Sequence, residues 1–275
     1  MQAMIFAAGL GTRLKPLTDS IPKALVEVEG QPLLRRTIIK LKEAGVDHIV
    51  VNVHHFADQI IDYLKANNNF GLDIRISDER ENLLDTGGGL LNARSLFNPN
   101  EPILIHNVDI LSNVRIHDFY YLDPDFNNVA TLIVSRRQTK RYLVFDNNFK
   151  LKGWTNIETQ EVKSPYPHFN IKAPGNNLYA FSGIHLVTPA IFPLLEDYAQ
   201  TVAHSTKFSI TDFYIHVCNT ASINGYVKFD LQLLDVGKQD TLDKATEFVH
   251  QHPSEEERRK AEEEEEKGAD FIFRP

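Results

Sequence analysis

Over the first 110 residues, short apolar runs alternate with amphipathic stretches, and few folds accept that rhythm. Residues 3–8 read as a short buried strand. Residues 32–44, PLLRRTIIKLKEA, carry apolar residues at helical spacing, with Pro32 suited to a first turn and Gly45 to a stop. A strand at 48–53 (HIVVNV), an amphipathic helix at 56–66 and an alternating strand at 72–77 follow. A helix at 89–97 and a strand at 102–107 (PILIHN) complete the series. This β-α-β-α-β-α-β order predicts the α/β class: a Rossmann-like, mixed but mostly parallel sheet flanked by helices. Ligands of such sheets sit at the carboxyl ends of the strands. The glycine loop after the first strand and Asp109, just past the 102–107 strand, both fall at that edge.

After about residue 128 the character changes. Residues 129–135, 142–146, 178–187 and 222–229 are strand-like, and 189–198 and 210–217 are helix candidates. Residues 147–177, rich in Asn, Pro and Lys, are expected to form a lid or insertion. A strand at 231–236 carries Asp235, and a helix is expected at 238–251. The body therefore runs over 1–252, in two halves meeting near residue 128, with an acidic tail at 253–275. The tail, EEERRKAEEEEEKGADFIFRP, has strong helix formers but no apolar face, so a solvated helix or a frayed terminus is expected, with the terminal FIFRP docking on the body or a partner subunit.

The stretch AAGLGTRLKPLT, residues 7–18, carries the first chemical signal. A phosphate-binding loop of the GxxxxGK[ST] kind has other spacing. A dinucleotide fingerprint fits Gly9 and Gly11 but meets Leu14 at the third glycine position. A tight turn with nothing bound is the plain alternative. The residues that follow favour an anion. Glycines let backbone N–H groups form a nest for anionic oxygens, Arg13 adds a planar fork, and Lys23 adds a compact charge. Pro16 and Pro22 stiffen the path between them, and the whole suits a polyphosphate.

Net charge is −8 and there is no basic run, which argues against nucleic acid as a partner. The one cysteine, Cys218, excludes a disulfide within the chain and makes a Cys-based zinc site implausible. No signal-peptide pattern and no apolar run of membrane-spanning length occur, so a cytoplasmic protein without membrane contact is expected. His54 and His55 lack a third ligand at metal spacing and read as packing or surface groups.

GLGTRLKPLT followed by PKALVEV resembles the GxGTRxxPLT…PKxLxxV motif of the sugar-1-phosphate nucleotidylyltransferases. Later segments resemble that family in order: LLDTGGGLLNA, HNVDI, FSGIH and LLDVGKQDTLDKA. The TGGG segment is similar to the branch of N-acetylmuramate-1-phosphate uridylyltransferases and mannose-1-phosphate guanylyltransferases. The resemblance implies the nucleotide-diphospho-sugar transferase fold, with residues 1–128 as the nucleotide-binding half and 129–252 as the sugar-binding half with a smaller β insertion. It implies transfer of a nucleotidyl group from an NTP to a sugar 1-phosphate, with Mg²⁺ as cofactor. Arg13, Lys23 and Asp109 would be catalytic. Ala8, Gly9, Gly11, Thr12, Arg13, Lys23, Thr86, Gly87 and Gly88 would bind the nucleotide, the last two lying against the flat base. Asn107, Ser182 and Gly183 would meet the sugar phosphate. Asp109 and Asp235 would hold the metal, their strands pointing the same way in one sheet. Trp154 reads equally as core or as sugar cover.

The chain departs from the family pattern at Val108, Leu234 and Lys238, which bears on substrate identity more than on catalysis. A monomer or small homo-oligomer is expected. Three other readings stand beside the enzyme. A non-catalytic nucleotide-sugar sensor would be expected to lack Arg13, Lys23 or an aspartate, and all are present. A dehydrogenase would need an acid at the end of the second strand, where VNVHH offers none. A cytidylyltransferase acting on phosphocholine would need an aromatic cage, which the sequence neither displays nor excludes.

Overall fold

The structure, a computed structural model, describes residues 1–122 and 127–272, with only the backbone over 264–272. FIFRP, expected to dock, therefore lies outside the residues whose side chains are described.

The nucleotide half runs β1 (Gln2–Phe6), β2 (Glu27–Val28), β3 (Gln31–Pro32), α1 (Leu33–Glu43), β4 (His48–Val53), α2 (Ala57–Ala66), β5 (Asp73–Asp78), α3 (Asp85–Asn92), β6 (Ile103–Asn107), β7 (Ile110–Ser112) and α4 (Ile116–Tyr120). The second half runs β8 (Ala130–Ser135), β9 (Arg141–Phe145), β10 (Leu151–Asn156), β11 (Glu161–Lys163), β12 (Asn177–Val187), α5 (Ile191–Tyr198), α6 (Ile210–Val217), β13 (Ile223–Val227), β14 (Leu233–Asp235), α7 (Gln239–Gln251) and α8 (Glu255–Ile272).

The main sheet has the order β11-β10-β9-β12-β6-β1-β4-β5, with β8 beside β12 and β13 beside β8. Strands β6, β1, β4 and β5 are all parallel, as the alternation predicted. From β12 onward the pairing turns antiparallel, apart from the parallel β8–β13 pair. Phe6 is level with Asn52 on one side and Asn107 on the other. Three strand ends thus meet at one carboxyl edge.

Alternation along β1 feeds two cores, one on each face. Ala3 and Ile5 join Leu34, Ile38 and Leu104 beneath α1 and α2. Met4 joins Leu90, Ile105, Leu195 and Phe213 beneath α3, α5 and α6. Each of the fully buried Leu, Ile, Met and Phe side chains contributes about 1.5–3 kcal/mol through removal from water.

Of the two readings of 147–177, a lid or an insertion, the insertion is observed: β10 and β11 within it continue the sheet, and Trp154 packs against the second core. Three sequence expectations need correction. Helix α3 begins at Asp85, not at residue 89, because the glycines it includes are fixed by partners far away in sequence. Strand β14 is not in the main sheet; it pairs antiparallel with β7. The start of the acidic tail is not solvated. Glu256 and Glu257 pair with Arg35 (2.8 Å) and Arg36 (2.9 Å) of α1.

Two histidines are buried in the sheet, His106 and His185, with pKa values pulled down by burial to about 4 and about 3. Both must be neutral in the folded chain, whereas the unfolded chain protonates them near pH 6.5. The unfolded state therefore binds more protons below that pH. Their contribution is complete above about pH 6.5 and is lost as pH falls towards 4, at about 1.4 kcal/mol per pH unit for each histidine. Urea unfolding between pH 7 and 5 is expected to show this acid slope, and His185→Phe is expected to flatten it.

Candidate active site

The glycine loop leaves β1 under tight control. Asn52 Oδ1 accepts from the amides of Ala7 (2.7 Å) and Ala8 (3.3 Å). Asn52 Nδ2 donates to Glu79 Oε1 at 2.8 Å, and the Leu84 amide donates to Glu79 Oε2 at 3.0 Å. This buried pair fastens the first loop to the turn before α3. Burial raises the Glu79 carboxyl above its ordinary range. Sequence reading missed both residues. The available signal was a polar Asn inside an otherwise apolar strand end.

The Ala8 amide is thus engaged by protein, whereas the amides of Gly9, Leu10 and Gly11 have no internal acceptor among the described hydrogen bonds. They are free for anionic oxygens. Gly11 has φ +65°, and a Cβ there would stand 2.8 Å from Thr18 Cγ2 and 3.1 Å from Lys23 Cβ. The Thr18 hydroxyl donates to the Gly11 carbonyl at 2.8 Å, closing the loop. Leu14, which spoils the dinucleotide fingerprint, is fully buried and anchors the short helical turn Thr12–Leu14. Thr12 and Arg13 are left exposed on that turn.

The carboxylates meet by a route different from the expected one. Asp109 follows β6, Asp235 ends β14, and β14 pairs Asp235 with Ile110. The Val236 amide donates to the Asp109 carbonyl at 2.8 Å. Lys23 Nζ forms an ion pair with Asp109 Oδ2. Gly237 marks the meeting point. A Cβ on it would lie 2.6 Å from Asp235 Oδ1, 2.7 Å from Arg13 Nη2 and 3.2 Å from Lys23 Nζ. Burial and the charge of Asp109 push the Asp235 carboxyl up, while Lys23, Arg13 and the Gly237 amide pull it down. Arg13, Lys23, Asp109 and Asp235 are therefore one electrostatic unit.

Thr86, Gly87 and Gly88 have duties within the protein. The Gly87 and Gly88 amides donate to the Phe208 carbonyl at 2.9 and 3.2 Å, and the Thr86 hydroxyl accepts from the Ile210 amide at 2.9 Å. A Cβ on Gly88 would stand 1.9 Å from the Thr206 carbonyl oxygen, and one on Gly87 2.5 Å from the Phe208 ring. Protein, not open space for a base, fills the faces these glycines leave bare.

On the other side, Asn107 and Gly183 come together. Gly183 has φ +79°, and a Cβ there would lie 2.7 Å from Asn107 Nδ2. Ser182 corrects its expected role. It is buried, and its hydroxyl accepts from the Ile184 amide (3.1 Å) within a bulge of β12, so it shapes the bulge rather than facing a ligand. His54 is likewise internal, its Nδ1 lying 2.7 Å from the Glu79 carbonyl.

A loop of open amides with two cations is thus set against two acids at the carboxyl edge of an α/β sheet, an arrangement that suits phosphate groups. The family model described as nucleotidyl transferase matches residues 2–252, and the chain belongs to that family. It is similar to N-acetylmuramate alpha-1-phosphate uridylyltransferase of Caulobacter vibrioides, 48% identical over 109 residues, which are 39% of this chain and 45% of that protein. It is also similar to mannose-1-phosphate guanyltransferase of Pichia angusta, 28% identical over 208 residues, covering 75% of this chain and 54% of the relative. The chain spans about half the length of the curated relatives it matches. Among solved structures, UDP-glucose pyrophosphorylase complexed with UDP-glucose aligns with TM-score 0.70 at 20% identity, over 91% of this chain and 98% of that one. A putative glucose-1-phosphate thymidylyltransferase from Bacillus anthracis aligns with TM-score 0.72 at 17% identity, over 90% and 95%. At these identities the structures establish the fold alone.

Proposed function

We propose that this chain transfers a nucleotidyl group from an NTP to a sugar 1-phosphate, forming an NDP-sugar and pyrophosphate. UTP with N-acetylmuramate 1-phosphate and GTP with mannose 1-phosphate are the favoured pairs, after the names of its relatives. The observation that carries the reading is the convergence of Arg13, Lys23 and Asp235 on Gly237, with Asp109 paired to Lys23.

An acceptor phosphate oxygen bonds to the α-phosphorus, and the bond from that phosphorus to the oxygen bridging to the β-phosphate breaks. Pyrophosphate leaves with the electron pair. The nucleophile is already an anion, so no general base is required. The work lies in bringing two polyanions together and stabilising the departing charge. The open amides of Gly9 and Gly11, with exposed Thr12, cradle the triphosphate, and Arg13 holds the departing phosphates. Lys23, fixed by its pair with Asp109, meets the α-phosphate. Asn107 and Gly183 face the acceptor. Thr86, Gly87 and Gly88 act on the base side by steadying α3.

Asp109 and Asp235 suit Mg²⁺. Their mutual repulsion is what a divalent cation relieves, and Mg²⁺ commonly takes one or two carboxylates and fills its other positions with phosphate oxygens and water. When bound, the ion neutralises phosphate charge and polarises the phosphoryl group. Among the described residues no group of three or more His, Cys, Asp or Glu converges, so a cation here would share its shell with substrate. No helix among the described residues is long and apolar enough to cross a membrane. We place the reaction in the cytoplasm, by a monomer or small homo-oligomer.

The test is a matrix of NTPs against sugar 1-phosphates with Mg²⁺, measuring pyrophosphate. At least one pair is expected to react. Release with none of them would sink the enzyme reading and leave the nucleotide-sugar sensor.

A further inference from the structure

We propose that Arg137 binds the acceptor's phosphate, acting as the second-half counterpart of Arg13. Arg137 lies between β8 and β9, and its Nη2 donates to the Phe181 carbonyl at 2.9 Å. Phe181 immediately precedes the Ser182–Gly183 bulge, and Gly183 is the residue pressed against Asn107. One hydrogen bond therefore ties the guanidinium to the bulge that faces the catalytic edge.

Three further observations point to a ligand. First, Arg137 makes no ion pair among the described residues, whereas Arg35, Arg36, Arg75, Arg80 and Arg94 each hold a carboxylate. A guanidinium has five N–H donors in a rigid fork, and Phe181 takes one. Second, Arg137 is open to solvent, yet desolvation pulls its pKa down while the charge of Asp235 pulls it up. Partial desolvation of an exposed guanidinium fits the rim of a cleft, and its bond to the Phe181 carbonyl holds it beside the bulge. Third, residues 129–187 hold eight lysines and arginines against three acids, in a chain whose net charge is −8. The positive excess lies on the half opposite the triphosphate loop.

Two polyanions that must approach each other need separate clamps, because one cation cannot orient both. Arg13 and Lys23 serve the nucleotide half. Of the second-half arginines that hold no carboxylate among the described residues, Arg137 is the one tied to the bulge beside Asn107, and a planar fork matches a phosphate's paired oxygens. The plainer role, a tether between the β8–β9 connection and the bulge, uses only the bond to Phe181 and predicts no substrate selectivity.

The assignment rests on the proposed acceptor class, and the experiment separates the two. With the reactive pair from the substrate matrix, Arg137→Ala is expected to raise KM for the sugar 1-phosphate by about 10- to 100-fold, as for a lost charged hydrogen-bond donor. KM for the NTP should change less than about twofold, and Arg137→Lys should recover part of the loss. Thermal melting within about 2 °C of wild type is expected, because the side chain is exposed. An unchanged acceptor KM, or an equal rise for both substrates, overturns the assignment. If no pair reacts, the proposed function falls while calorimetry still decides Arg137, with inorganic phosphate as probe in the presence of Mg²⁺. Binding by wild type that weakens about tenfold in Arg137→Ala supports the site. Equal binding by the two proteins, or none by either, overturns it.

Discussion

Asp109→Asn and Asp235→Asn are each expected to lower turnover by about 10³-fold or more while leaving the fold intact, the scale on which losing one cationic stabiliser acts in phosphoryl transfer. Asparagine keeps the shape and one acceptor oxygen but removes the charge that a cation requires. The two variants should differ in stability, and the sign is readable. Asp235 is half-buried and strained upward in pKa by burial and by Asp109, so its ionised form is disfavoured where it sits. Asp235→Asn removes that repulsion and can still accept from the Gly237 amide, a bond of 2.8 Å in the native chain. Its melting temperature is expected at or above wild type. Asp109→Asn instead strands Lys23 without its partner, in a pair whose side chains are 13% and 14% exposed. Its melting temperature is expected slightly below wild type. Pyrophosphate release measures the first effect and circular-dichroism melts the second. Full activity in both variants would mean that the two acids are not the metal site.

The parallel half of the sheet was legible because β1, β4 and β6 are apolar runs, β5 alternates, and α1 and α2 are clearly amphipathic, whereas the glycines at the start of α3 hid its first turn. Helix α1 falls within one residue of its expected span, and α6 matches residue for residue. Long-range pairing was another matter. Leu233–Asp235 is three residues long, too short to announce its partner, and only the fold shows that β7 takes it. The acids meet even so, because β7 follows Asp109 directly and carries the partner strand to it. The tail resisted reading for a related reason. A run of glutamates looks solvated until Arg35 and Arg36 are known to line the facing helix.

Within the site, charged residues were easier to place than small ones. Arg13, Lys23, Asp109 and Asp235 stood out because they fall on the segments that resemble the family's motifs, where an aspartate after a strand by itself reads as a cap or turn residue. Ser182 looked similar in kind, yet its hydroxyl is spent on a bulge, and no local pattern distinguishes a serine facing inward from one facing a ligand. Asn52 and Glu79 went unseen because their task, bracing two loops from below, exists only once β4 and β5 are side by side.

Gly88→Ala is expected to destabilise the chain by about 3 kcal/mol, at the upper end of the usual range for overpacking. In an isolated helix the same change would stabilise by about 1 kcal/mol, since alanine is the better helix former. The sign reverses here because the new methyl would sit 1.9 Å from the Thr206 carbonyl oxygen, a backbone atom that cannot swing aside. Either α3 or the 206–208 segment must retreat, and the bonds from Gly87 and Gly88 to Phe208 go with it. At roughly 2–4 °C per kcal/mol for a chain of this size, the melting temperature should fall by about 6–12 °C. Gly9→Ala is the matched contrast. A Cβ there meets nothing within 4 Å, so its melting temperature should equal that of wild type and any loss should fall on KM for the NTP. A Gly88→Ala variant that melts like wild type but loses nucleotide affinity would return Gly88 to the base and refute the packing role. The expected results assign two glycines of similar appearance different tasks: Gly9 leaves room for substrate, and Gly88 leaves room for the backbone of the 206–208 segment.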